Sequence, residues 1–129
     1  MNRYRVAQVG LGNRGWVHAT GFLANRDRFD LVALCDLDRE RLRQGAEQFG
    51  VAAAYTDAEA MLAETRPDIF CFVTQPHLRL PMVELGARYG VKAIAFEKPM
   101  ATSLQEAKAI VDLCHAHGIR QSSATNRST

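Results

Sequence analysis

The stretch Val6-Ala7-Gln8-Val9-Gly10-Leu11-Gly12-Asn13-Arg14-Gly15 sets Gly10, Gly12 and Gly15 in a G-x-G-x-x-G turn directly after an apolar run, and Asp36 lies 21 residues beyond the third glycine. A strand, a glycine turn opening a helix and a distant acidic residue, in that order, form the pattern of a dinucleotide-binding βαβ unit. Gly10 permits the tight turn, Gly12 lets the backbone approach a pyrophosphate, and Gly15 lets the helix pack closely on the sheet. The start of that helix turns backbone N–H groups and partial positive charge toward the phosphates. Three glycines in six positions also make a close strand-to-helix turn without any ligand. The preceding strand and Asp36 favour the nucleotide reading.

Working outward, Tyr4 to Val9 reads as a buried first strand and the helix after it runs from Asn13 to about Asn25. Leu31 to Cys35 is a second strand, followed by a polar helix from Arg39 to Phe49 with Asp38 as its cap. Val51 to Tyr55 is a third strand, and Asp57 to Glu64 a short helix capped by the Thr56 hydroxyl. Ile69 to Val73 is the fourth strand. Leu78, Met82, Leu85 and Tyr89 then recur at the spacing of a helix lying against a sheet. Ala93 to Phe96 is a fifth strand, ended by Glu97-Lys98-Pro99 because proline cannot donate to a ladder.

Ser103 and Glu106 make a capping box for a last helix. Its buried side carries Leu104, Ala107, Ile110, Val111 and Cys114, and Gly118 stops it. Ile119 to Ser123 would be a sixth strand, although Gln121-Ser122-Ser123 is polar for a buried one. Strands alternating with helices predict the α/β class: a Rossmann-type, doubly wound, mostly parallel sheet in three layers. Residues 1–121 are expected to form the dinucleotide-binding domain, and residues 122–129 a polar tail or the beginning of an interdomain connection.

The 129 residues suit one domain, and an apolar content of 47% supplies a core without disulfides or a structural metal. Sixteen basic against fourteen acidic residues leave a net charge of +2 with no basic stripe, so nucleic acid is not an expected partner. No apolar stretch is long enough to span a bilayer or to act as a signal region, which argues against a membrane partner. Cys35, Cys71 and Cys114, odd in number and set within apolar or helical patterns, fit reduced thiols in a cytoplasmic compartment.

Several side chains are placed for chemistry. Arg14, inside the turn, either offers a planar set of donors to a phosphate or simply faces solvent. Asp36, at a strand end, would accept from the hydroxyls of an adenosine ribose and repel a 2′-phosphate, which favours NAD over NADP. Thr74-Gln75-Pro76-His77 follows the fourth strand, where an open sheet places its ligand crevice. His77 is suited to a ribose or substrate contact, or equally to capping the next helix. Lys98 could polarise a substrate oxygen with Glu97 fixing its ammonium group, although a surface ion pair would look the same in sequence. His18 reads as a packed or capping residue. Cys114-His115-Ala116-His117 is poorly spaced for a closed metal site, since only positions 114 and 117 share a helix side, and no metal is expected.

From Tyr4 to about Arg127 the chain resembles the N-terminal half of the family that contains glucose-fructose oxidoreductase and inositol dehydrogenase. The resemblance rests on Val9-Gly10-Leu11-Gly12-Asn13-Arg14-Gly15, Cys35-Asp36, Pro76-His77, Asn126-Arg127 and, most specifically, Glu97-Lys98-Pro99-Met100-Ala101. It implies a nicotinamide cofactor held by Gly10, Gly12, Asn13, Arg14, Gly15, Asp36, Thr74, Pro76, His77, Glu97 and Lys98, with Lys98 as the catalytic residue near the reacting end. The implied reaction is hydride transfer between the nicotinamide and a sugar, polyol or related small molecule. Family members continue into an α/β domain that forms the substrate cavity, often the subunit interface, and supplies a catalytic aspartate and histidine; that domain is absent from these residues. The expectation is therefore cofactor binding with little or no turnover, substrate only in a longer form, and homo-oligomers as a further possibility. The alternative is a stand-alone NAD-binding regulatory or interaction module.

Overall fold

The apolar run Tyr4–Val9 forms β1, and every other strand is arranged around it. The structure, a computed structural model of the chain, describes residues 3–73, 78–96 and 104–123. In chain order there follow α1 (Asn13–Ala24), β2 (Phe29–Cys35), α2 (Arg39–Phe49), β3 (Ala53–Tyr55), α3 (Ala58–Thr65), β4 (Ile69–Phe72), α4 (Arg79–Arg88), β5 (Ala93–Phe96), α5 (Leu104–His117) and β6 (Arg120–Ser123). The sheet order is β3-β2-β1-β4-β5-β6 and each pairing is parallel. This is the doubly wound topology that the sequence predicts, with its direction of winding reversing between β1 and β4.

Right-handed crossovers carry the helices to two sides of the sheet, and the core divides accordingly. On one side Leu11, Ala19, Leu42 and Phe49 from α1, α2 and the turn pack on Val6, Leu34 and Cys71. On the other, Met61, Leu62, Val83 and Ile110 from α3, α4 and α5 pack on Ala7, Phe70, Phe72 and Ile94. Strands with both faces covered read as continuous apolar runs, as Ile69-Phe70-Cys71-Phe72 does. Among the described residues no helix is long and apolar enough to cross a membrane.

The structure revises four local expectations. Val51 is buried but precedes β3; its amide donates to Ala46 O and closes the end of α2 after Gly50, which takes the left-handed conformation at φ 66°. The cap of α3 is Asp57, whose extended backbone and carboxylate oxygen meet Ala60 N at 3.1 Å, not Thr56. A carboxylate one residue later both accepts that bond and faces the positive end of the helix. In α4 the most deeply buried positions are Arg79, Val83 and Gly86; Met82, Leu85 and Tyr89 pack against the core as the spacing predicts, but only half-buried, and Met82 and Leu85 also line a cleft with the exposed Leu78. In α5, Ile110 and Cys114 are buried as expected, but Val111, a hundred degrees round the helix, is 44% exposed. Ser103 lies outside the described residues.

The polar residues of β6 are accommodated by position. β6 pairs Ala93 with Arg120 and Phe96 with Ser123 at the margin of the sheet, where Arg120 and Gln121 reach solvent. An edge strand needs only one ladder and tolerates polar and charged side chains.

Candidate functional site

The reversal of strand order between β1 and β4 opens a crevice at their carboxyl ends, and the glycine turn lies across it. Gly10 has φ 101°, a conformation that L side chains rarely adopt, and a Cβ there would collide with the Val73 carbonyl. Its amide donates to Cys35 O at 2.9 Å, tying the turn to the end of β2. A Cβ on Gly15 would run into the carbonyl oxygen of Gly10, so this glycine lets α1 settle against its own turn. Gly12 differs from both. A Cβ there would meet only the Arg41 Nη1 at 3.4 Å, an ordinary contact, so its reason for being glycine lies outside the protein interior.

Gly12 is also the N-cap of α1, and it offers no side-chain cap. The first turn of α1, Asn13-Arg14-Gly15, carries no acidic residue, whereas α2 and α3 each start with an aspartate cap and a glutamate. A helix end with neither cap nor acid keeps its partial positive charge available for an external anion. The geometry therefore fits a phosphate-bearing ligand in the way that the spacing of the glycines suggests.

Asp36 is only 6% exposed and is drawn into the same turn. Its Oδ2 accepts from Leu11 N at 2.8 Å and its Oδ1 from Asp38 N at 2.8 Å, with Arg41 Nη2 at 3.4 Å from Oδ1. The carboxylate thus straps the glycine turn to the β2–α2 turn, a duty the sequence does not announce. Oδ2 retains one lone-pair position for a further donor. Arg41, half-exposed, also lies 3.7 Å from Asp38 Oδ2.

These groups border a cleft of about 580 Å³. Gly10, Gly12, Asp36 and Arg41 make its polar side, while Val73, Leu78, Met82 and Leu85 make an apolar wall. Leu37, 88% exposed, stands at the rim. A mostly apolar recess with a few convergent polar groups suits an aromatic base attached to a polar sugar. Cys35 lines the recess as a neutral thiol: burial first, then the neighbouring Asp36 and Asp57 carboxylates, push its pKa up to about 12.

Of the residues singled out in the sequence, Gly10, Gly12 and Asp36 line this cleft, Asn13 borders a neighbouring recess with Gly12 and Arg41, and Arg14 and Gly15 belong to the first turn of α1. Thr74, Pro76, His77, Glu97 and Lys98 lie outside the described residues, as do Met100, Ala101, Asn126 and Arg127. Arg41 and the cleft wall of α4 were not foreseen. Gln8 was also missed: it is fully buried in β1, and its Nε2 donates to Gly10 O at 3.0 Å and Gly15 O at 2.7 Å. Its signal was a polar residue inside the apolar run Val6-Ala7-Gln8-Val9.

Comparison with known proteins agrees with this geometry. D-apiose dehydrogenase of Paraburkholderia graminis is 37% identical over 121 residues, which are 92% of this chain and 31% of that protein. The WlbA dehydrogenase of Bordetella pertussis, solved with NADH and UDP-GlcNAcA, superposes with a TM-score of 0.88 at 27% identity, over 95% of this chain and 37% of its own. An oxidoreductase of Agrobacterium radiobacter, solved with NAD+, L-tartaric acid and magnesium, gives a TM-score of 0.84 at 29% identity over 95% of this chain and 35% of its own. The chain thus spans about a third of the length of these relatives. Residues 4–124 match the family model described as the oxidoreductase family, NAD-binding Rossmann fold, and with the crevice, the glycine turn and Asp36 in agreement, the chain belongs to the GFO/IDH/MocA oxidoreductase family.

Proposed function

We propose that the chain binds NAD across the β1–β4 crevice as the cofactor half of a dehydrogenase acting on a sugar, polyol or related small molecule. The observation that carries this reading is the 2.8 Å bond from Leu11 N to Asp36 Oδ2, which makes the uncapped glycine turn and the acidic residue parts of one site. The backbone amides at the start of α1, with Asn13 and Arg14, would hold the pyrophosphate. Asp36 would accept from the ribose, and the adenine would enter the recess beside Leu37, Leu78 and Met82. When bound, the nicotinamide supplies a hydride acceptor or donor. Thr74, Pro76, His77, Glu97 and Lys98 complete the cofactor end of this proposal, Lys98 polarising the substrate oxygen with Glu97 holding its ammonium group. The relative named as a D-apiose dehydrogenase supports the substrate class.

The longer protein would contribute the substrate domain and, through it, self-association into homo-oligomers. Three buried cysteines, none of them in a disulfide, suit a reducing, cytoplasmic compartment.

NAD is favoured over NADP because a 2′-phosphate would approach the Asp36 carboxylate, and Arg41 is already directed at Asp36 and Asp38. Titration calorimetry of the wild type is expected to show NAD binding about tenfold tighter than NADP, a difference of about 1.4 kcal/mol. Asp36→Ser should weaken NAD and narrow or invert that ratio, because it removes the repelling charge and releases Arg41. No binding of either cofactor, or NADP bound more tightly by the wild type, would overturn the proposal.

A further inference from the structure

Gln8 occupies a position where a buried strand would ordinarily place an apolar side chain: it is fully buried beside Val6 and Cys71, with Leu11 of the turn above the same face. Its Nε2 spends both protons on the glycine turn, one on the Gly10 carbonyl at 3.0 Å and one on the Gly15 carbonyl at 2.7 Å. Its Oε1 is buried with no partner among the described residues. The orientation of the amide is fixed by chemistry, since both neighbours are acceptors and only the nitrogen end can donate to them.

A buried amide that leaves its oxygen unsatisfied costs free energy unless the bonds at its other end compensate. Here those bonds join the first and third glycines of the turn. Gly10 and Gly15 are also the two residues packed against each other, for a Cβ on Gly15 would strike the Gly10 carbonyl. Gln8 therefore sets the distance across the turn from beneath, and with it the direction of the amides at the start of α1. Asp36 holds the same turn from the side through Leu11 N.

We propose that Gln8 is a positioning residue for pyrophosphate: it touches no cofactor, and by clamping the carbonyls of Gly10 and Gly15 it holds the helix-start amides in their anion-binding arrangement. This rests on the dinucleotide reading above. Ligands that contain a pyrophosphate should depend on Gln8, whereas adenosine, which uses the Asp36 end of the cleft, should not.

The test uses the full 129-residue chain and three ligands, NAD, ADP-ribose and adenosine, with thermal unfolding measured in parallel. Gln8→Met keeps the length of the side chain and removes both donors and the orphan oxygen. It is expected to unfold no earlier than the wild type, to lose at least tenfold in affinity for NAD and ADP-ribose, and to bind adenosine within twofold of wild type. Gln8→Glu can donate only when protonated, so its NAD affinity should recover as pH falls while that of Gln8→Met stays level. NAD affinity in Gln8→Met within twofold of wild type, or equal losses for all three ligands, would overturn the positioning role while leaving the dinucleotide site standing. Failure of the wild type to bind NAD at all would instead overturn the reading on which the role rests.

Discussion

Cys35 and Asp36 are consecutive in the chain and both are buried, yet their surroundings differ. Asp36 receives two backbone donors at 2.8 Å, whereas the Cys35 thiol is 3% exposed and is pushed up to about 12 by burial, helped by Asp36 and Asp57. A folded thiol that titrates above its ordinary value of 9.0 holds its proton where the unfolded chain releases it. Stability from this group is therefore fully present below pH 9 and is lost as pH rises toward about 12. The slope it contributes is at most one proton, about 1.4 kcal/mol per pH unit. Urea denaturation at a series of pH values above 9 should show a shallower alkaline loss in Cys35→Ala than in wild type. Identical slopes would count against it. The three turn glycines and Asp36 were legible in the sequence because each answers a constraint that few residue types meet, such as φ 101° at Gly10. Gln8 and Arg41 were not, because a polar residue in an apolar run or one of several on a polar helix names no partner until the turn is folded over it.

Element by element, the period of the apolar residues located β1 to β5 and the five helices of the described residues, since a parallel sheet covered on both faces imposes apolar runs on its strands and stripes on its helices. What the period could not resolve was rotation and termini. The stripe Leu78, Met82, Leu85 has true helical spacing, and Met82 and Leu85 do touch the core, yet Val83 and Gly86 are the positions closest to the sheet, where a Cβ on Gly86 would already stand 3.2 Å from Phe70, so the stripe also borders the cleft. The start of α3 shows the same limit, with Thr56 and Asp57 both competent caps and adjacent. Asp57 makes the bond to Ala60 N, so Asp57→Ala should cost about 1 kcal/mol in chemical denaturation and Thr56→Ala clearly less. A larger loss at Thr56 would return the cap to the hydroxyl. The polar end of the chain deceived for a different reason: Gln121 and its neighbours are unsuited to a central strand but acceptable in β6, which has a single partner, β5.

For the molecule as a whole, the two faces of the sheet are unequally clothed. The crossovers into β4, β5 and β6 bring α3, α4 and α5 to one side, and among the described residues α1 and α2 serve the other. Ile94 and Phe96 of β5 are accordingly buried, while the alternate residues Ala93 and Ala95 are only half-buried. The cleft shares this openness: its floor is the glycine turn and its wall is α4, and the described residues place nothing opposite them to exclude water. Binding a dinucleotide needs the floor and the wall. Hydride transfer needs more, a carbon held about 3–3.5 Å from its reaction partner in a dry, shaped site. A chain about a third as long as its relatives should for that reason bind cofactor without comparable turnover. With saturating NAD and a panel of sugars and polyols, NADH formation by the 129 residues alone is expected to fall at least a thousandfold below the roughly 10 s⁻¹ typical of enzymes. A rate of ordinary size with any of these substrates would mean that one face of the crevice suffices for the chemistry, and that binding and catalysis do not separate in this fold.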